Sequence, residues 1–140
     1  MSEIITDKLT GKTSAGDVTI TSEGGAVTMQ LQQGVAKAWC YVEGDALAPL
    51  INSFNGSSLT DDGTGDYTYN LTNSFDYAKY SVTSNESRQP SAASVGGRIV
   101  QCDSIVAGSY GINTYYLTSS AVTTRLDDSV ICSAAFGDLA

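Results

Sequence analysis

Asp66-Tyr-Thr-Tyr-Asn-Leu-Thr72 alternates without interruption: Tyr67, Tyr69 and Leu71 fall on one side, Thr68, Asn70 and Thr72 on the other. A period of two is the signature of a half-buried antiparallel strand, whereas a helix would scatter these side chains around its circumference. The same period recurs along the chain. Val18 and Ile20 share a side within Asp17 to Thr21, and Val27, Met29 and Leu31 share one within Ala26 to Leu31. Tyr80 and Val82 alternate with Ser81 and Thr83, and Val130, Cys132, Ala134 and Phe136 share one face of a last strand. Val35 to Glu43 and Arg98 to Ala107 carry apolar residues on both faces, as central or interface-buried strands do. Ile112 to Ser119, rich in β-branched and aromatic residues, completes the set.

Turn chemistry separates these runs. Ser22-Glu-Gly-Gly25 reads as a hairpin connection, and Asp61-Asp-Gly-Thr-Gly-Asp66 as a tight glycine turn with three carboxylates. Ser84 to Gly97 is small and polar with Pro90, and reads as the longest loop. One short helix is allowed within Gly44 to Phe54, where coil serves equally. Strands at this spacing without an amphipathic helix predict an all-β fold, a single β-sandwich or jelly-roll-like head over residues 35–140. Residues 1–34 read as an extended, strand-forming N-terminal arm, poor in aromatics. An isolated hairpin is marginal in water. The apolar arm residues Leu9, Val18, Ile20, Val27, Met29 and Leu31 are therefore expected to attach to a partner surface, most economically copies of the same chain.

Composition narrows the chemistry. In 140 residues there are no histidines, which removes Ser-His-Asp and Cys-His catalysis and any imidazole ligand. Fifteen acidic residues against seven basic give a net charge of −8, the wrong sign for a phosphate backbone, so no nucleic-acid partner is expected. The longest apolar stretch, Ala46 to Ile51, is too short to span a bilayer. Met1 to Asp17 lacks the basic and apolar regions of a secretory signal, so synthesis in a cytoplasm is expected. Cys40, Cys102 and Cys132 form no CxxC and read as reduced thiols, with one disulfide and a leftover thiol as the alternative.

No motif announces a reaction. Gly11-Lys12-Thr13 resembles the end of a phosphate loop, but Thr6 stands where the first glycine is required. Asp61, Asp62 and Asp66 offer oxygens to a hard cation, yet the calcium-loop pattern is missing, and a turn with solvated carboxylates is the expectation. Glu43 with Asp45, or Asp127 with Asp128, are carboxylate pairs of the kind glycoside hydrolysis uses, with nothing in the sequence to set them across a cleft. The expectation is therefore no enzyme, no cofactor and no metal. Eight tyrosines stand against three Phe and one Trp. Tyr67 and Tyr69 are expected in the core. Tyr110, Tyr115 and Tyr116, around a glycine loop and on alternating faces, are the candidates for an exposed recognition surface.

Four blocks resemble small structural proteins of tailed bacteriophages, common among marine phages, usually described as tail-fibre or virion structural proteins. They are Lys8 to Thr21, Leu31-Gln-Gln-Gly-Val-Ala-Lys-Ala-Trp39, Ser53 to Asn73 and Phe136-Gly-Asp-Leu-Ala140, about a third of the chain. The pattern does not extend over Tyr80 to Ser129, which in fibre proteins is the variable, outward-facing end. The resemblance brings no catalytic residue. It implies a virion protein, made in a host cytoplasm, that assembles as a homo-oligomer, a trimer, with other phage tail or capsid proteins as partners. A short fibre or knob would adsorb to a bacterial surface glycan or protein through residues such as Tyr110, Tyr115 and Tyr116. The alternative is a capsid decoration protein bracing the shell without a receptor, and a glycan depolymerase stands a distant third.

Overall fold

The computed structural model describes residues 4–12, 18–21, 25, 28–45, 50–87, 97–117 and 123–140. The chain divides into two compact units, Met1–Val35 and Ala36–Ala140.

In the first unit, β1 (Thr19–Thr21) pairs antiparallel with β2 (Thr28–Gln30), Thr19 opposite Gln30 and Thr21 opposite Thr28. A single 3-10 turn follows at Leu31–Gly34, and the Leu31 amide donates to the Val18 carbonyl at 2.7 Å. All six strand residues are exposed, so the hairpin buries almost nothing in its own unit.

The second unit is nearly all β, with no α-helix among its described residues, and it is sandwich-like. One sheet has the order β4 (Leu50–Phe54), β3 (Ala38–Val42), β11 (Val130–Phe136), β7 (Ser81–Ser87). The other contains β5 (Gly56–Gly63), β6 (Asp66–Leu71), β9 (Ser109–Leu117) and β8 (Arg98–Val106). β10 (Thr123–Arg125) pairs with Tyr115–Leu117 of β9, on the edge where β6 leaves off. Every named pairing is antiparallel.

Tyrosine builds the core between the sheets. Tyr67, Tyr69, Tyr110, Phe75, Ile112, Ile131 and Val42 are all buried. The rings pack on one another, Phe75 stacked on Tyr80 at 3.9 Å between centroids and Tyr69 tilted against Tyr110 at 5.3 Å. A buried phenol needs a partner, and each of these has one. Tyr69 Oη lies 3.0 Å from the Trp39 carbonyl, Tyr80 Oη 2.9 Å from those of Val106 and Ser109, and Tyr67 Oη 2.8 Å from Asp127 Oδ1. Burial raises the pKa of Tyr69 and Tyr80 to about 12 and raises that of Tyr110 as well, so all stay protonated. Tyr110 Oη meets Ser133 Oγ in the middle of the sandwich. Tyr110→Phe is expected to cost about 1–2 kcal/mol in urea unfolding, and Tyr110→Phe with Ser133→Ala together less than the sum, because both ends of the bond are then removed.

Several expectations are corrected. The helix allowed within Gly44 to Phe54 does not include Leu50–Phe54, which is strand β4, while 46–49 lie outside the described residues. The loop drawn from Ser84 begins later, because β7 runs on to Ser87. Gly56–Gly63 is a strand that its serines, threonines and aspartates concealed. The last strand reverses the polarity that its side chains suggest. Ile131, Ser133 and Ala135 are buried, and Cys132 is exposed.

Candidate functional site

That reversal turns apolar side chains outward. On the outer surface of the β4-β3-β11-β7 sheet, one cross-strand row runs Phe54, Trp39, Ala134, Thr83, and the next runs Asn52, Tyr41, Cys132, Asn85. Phe54 is 51 % and Trp39 38 % exposed, although residues of this type are usually found inside. Alternation explains why they cannot turn in: Ala38, Cys40 and Val42 already fill the inner positions of β3.

The face is also uncharged. Glu86 is the single charged residue in its four strands, and it lies on the same side as the buried Ile131 opposite it. The outer surface of the other sheet is the opposite in character. Asn70 Nδ2 lies 3.2 Å from both Ser58 Oγ and Thr60 Oγ1, Thr68 Oγ1 donates to Asp62, and Arg125 pairs with Asp66. One side of the sandwich is thus finished for water and the other is not.

The uncharged face has relief. Trp39 and Phe54 stand up at the β3-β4 side. At the β11-β7 side lies a shallow hollow of about 180 Å³ lined by Thr83, Ser84, Asn85, Cys132, Ser133 and Ala134. Small-molecule sites run to roughly 300–1,000 Å³, so the hollow suits a single protruding side chain better than a free ligand.

The recognition tyrosines separate. Tyr110 is fully buried against Ser133 and is withdrawn as a surface residue: its parity on β9 is that of Ile112, which faces the core. Tyr116 shares that parity and pairs with Arg98, whose guanidinium reaches between the sheets to Asp128. Tyr115 takes the opposite face, half-buried, with the Arg125 guanidinium 5.7 Å above its ring. The three do not form a patch. In the first unit Leu9, Ile20 and Met29 are 60, 42 and 54 % exposed, Val18 and Leu31 are half-buried, and Val27 lies outside the described residues.

The carboxylates have internal duties. Asp61 Oδ1 accepts from the Gly63 amide at 3.0 Å. Asp127 Oδ1 accepts from Tyr67 Oη and from the Gly65 amide, at 2.8 and 2.6 Å, while Asp128 turns to Arg98 at 2.9 Å. No group of three or more acidic or cysteine side chains converges as a metal site among the described residues. The three thiols are free, and burial lifts that of Cys40 to about 11.

Sequence reasoning missed the outer face because alternation grouped Val130, Cys132, Ala134 and Phe136 on one side of the last strand without saying which side meets the core. The available signal was Val35 to Glu43, apolar on both sides. No protein-family model matches this chain, and no curated protein or solved structure matches it at a significant level.

Proposed function

We propose that the chain is a structural protein of a tailed-bacteriophage particle, a short fibre or knob that assembles as a homo-oligomer, a trimer, and adsorbs to a host surface. The sequence blocks that resemble phage structural proteins motivate this reading. The observation that carries it is the uncharged aromatic face around Trp39, Phe54 and Tyr41, in a chain of net charge −8. Apolar surface of this kind marks a protein interface. An arm whose strand residues are all exposed supports the same role, since it too gains burial from a neighbour. Several weak receptor contacts on one particle then act together. A decoration protein of the capsid is the second reading, in which the same uncharged face packs against neighbouring subunits of the shell and meets no receptor.

Quantitative mass spectrometry of purified particles tests the assignment. A few to some tens of copies per particle place the chain on the tail, and hundreds make it a shell decoration. Its absence from particles overturns both, and release of sugar from host glycan by the purified protein would make it a depolymerase.

A further inference from the structure

We infer that copies of this chain meet through the outer face of the β4-β3-β11-β7 sheet, about a symmetry axis parallel to the strands along the β3-β11 seam, with Cys132 beside that axis. The inference rests on the oligomer of the proposed function and goes beyond it in naming the surface.

Charge argues for a second copy as the occupant. Two molecules of net charge −8 repel wherever their carboxylates are brought together. The outward positions of these four strands hold no charged side chain, so copies can close on one another here without pairing like charges. Shape argues the same way. An axis along the seam carries the β3-β4 half of one face onto the β11-β7 half of the next, so the same contact repeats from copy to copy until the rotation closes. The raised Trp39 and Phe54 of one copy then stand over the hollow of Thr83, Asn85, Cys132 and Ala134 in its neighbour. Size fits a weak contact. Two strands of five residues and two of seven, ~4.8 Å apart with ~3.4 Å per residue, give a face of roughly 390 Å², or about 800 Å² counted on both partners, the range of weak and transient association. The contact should therefore weaken on dilution.

Cys132 is a built-in reporter. It is the exposed thiol, while Cys40 is buried and Cys102 is half-buried beside Ser84. Light scattering behind size exclusion, at ~5 and ~200 µM chain, gives the mass, and maleimide reaction gives access to Cys132. The expected result is an oligomer at the higher concentration with Cys132 labelling slowed about tenfold relative to Ala134→Arg. Ala134→Arg and, separately, Thr83→Arg place a charge on the hollow from outward positions and are expected to leave folded monomers. A monomer at both concentrations with freely labelled Cys132 overturns the oligomer and this inference together. An oligomer in which Cys132 labels freely, or in which both arginine variants keep the wild-type mass, leaves the oligomer standing and overturns only the choice of face.

Discussion

Gly65→Ala is expected to destabilise the second unit by roughly 3 kcal/mol or more, lowering its melting temperature by ~15 °C. Gly65 closes the β5-β6 hairpin at φ +63°, where an L side chain costs about 1–2 kcal/mol. The greater part of the penalty is overlap. A Cβ at this position would lie 2.7 Å from the Leu126 nitrogen, 2.7 Å from the Thr114 carbonyl oxygen and 2.8 Å from that of Leu126. All three are backbone atoms and cannot swing aside. They are also tied together: the Thr114 amide donates to the Gly65 carbonyl at 2.9 Å, the Leu126 amide to the Thr114 carbonyl at 3.2 Å, and the Gly65 amide to Asp127. The turn is thus where β6, β9 and the segment after β10 are fastened to one another.

Two companion variants separate dihedral strain from overlap. Asn tolerates positive φ, so Gly65→Asn relieves the strain and keeps the clash; it is expected to fall close to Gly65→Ala. Gly63→Ala carries positive φ, +135°, with nothing within 4 Å of its Cβ, and bears strain alone. Urea unfolding of the three proteins checks the order. If Gly65→Asn unfolds with near wild-type stability, the close approach of the Leu126 and Thr114 backbones is not what the glycine serves.

The hairpin that Gly65 closes was half legible from sequence. Tyr67, Tyr69 and Leu71 alternate with polar residues and are buried as the pattern predicts, because β6 has a wet outer face and a dry inner one. Its partner β5 was hidden. Ser58, Thr60 and Asp62 point to water there, and the inner side offers little but Leu59 to mark a strand. The last strand was legible as an alternation, but not which of its faces is inside. Ser133 looks like an outward residue and Cys132 and Ala134 like inward ones, yet Ser133 is buried because Tyr110, twenty-three positions earlier, supplies its hydrogen bond. Once a polar group has a distant partner, alternation no longer says which face is inside. The same logic hid the continuation of β7, whose inward positions are Ser84, beside Cys102, and Glu86, beside Asp128 and Arg98. The candidate face stayed hidden for the same reason, since the alternation that groups Cys132 with Ala134 does not say that they point outward.

The second large effect lies at Arg98. Its guanidinium lies 2.9 Å from Asp128 Oδ1, with the two side chains 14 and 4 % exposed. Glu86 adds a second carboxyl whose oxygens are both buried. One cation cannot balance two buried carboxylates, so one of the three groups gives up its charge. Burial, then the hydrogen bond and charge of Asp128, raise the Glu86 pKa from 4.5 to about 8, against the pull of Arg98. At neutral pH the cluster is therefore a guanidinium, a carboxylate and a neutral acid. Arg98→Met leaves the carboxyls without a cation and is expected to cost about 3–5 kcal/mol.

The sign of the pH dependence follows from the raised pKa. The folded chain holds a proton that the unfolded chain has lost, so stability from this group is full below pH 4.5 and declines as pH rises toward 8. The slope is at most about 1.4 kcal/mol per pH unit. Glu86 as a whole is only half-buried, and solvent screening reduces the total to about 2 kcal/mol across the window. Glu86→Gln keeps the neutral form at every pH. The difference between wild type and Glu86→Gln, from urea unfolding at half-unit steps between pH 5 and 9, is expected to grow with pH in favour of the variant. Asp128→Asn removes the contributions of Asp128 and leaves burial opposed by Arg98, so the Glu86 pKa is expected to fall back toward its ordinary value and the pH dependence to flatten. A wild-type curve parallel to that of Glu86→Gln throughout would mean that the carboxyl is already ionised in the fold and that Arg98 balances both acids.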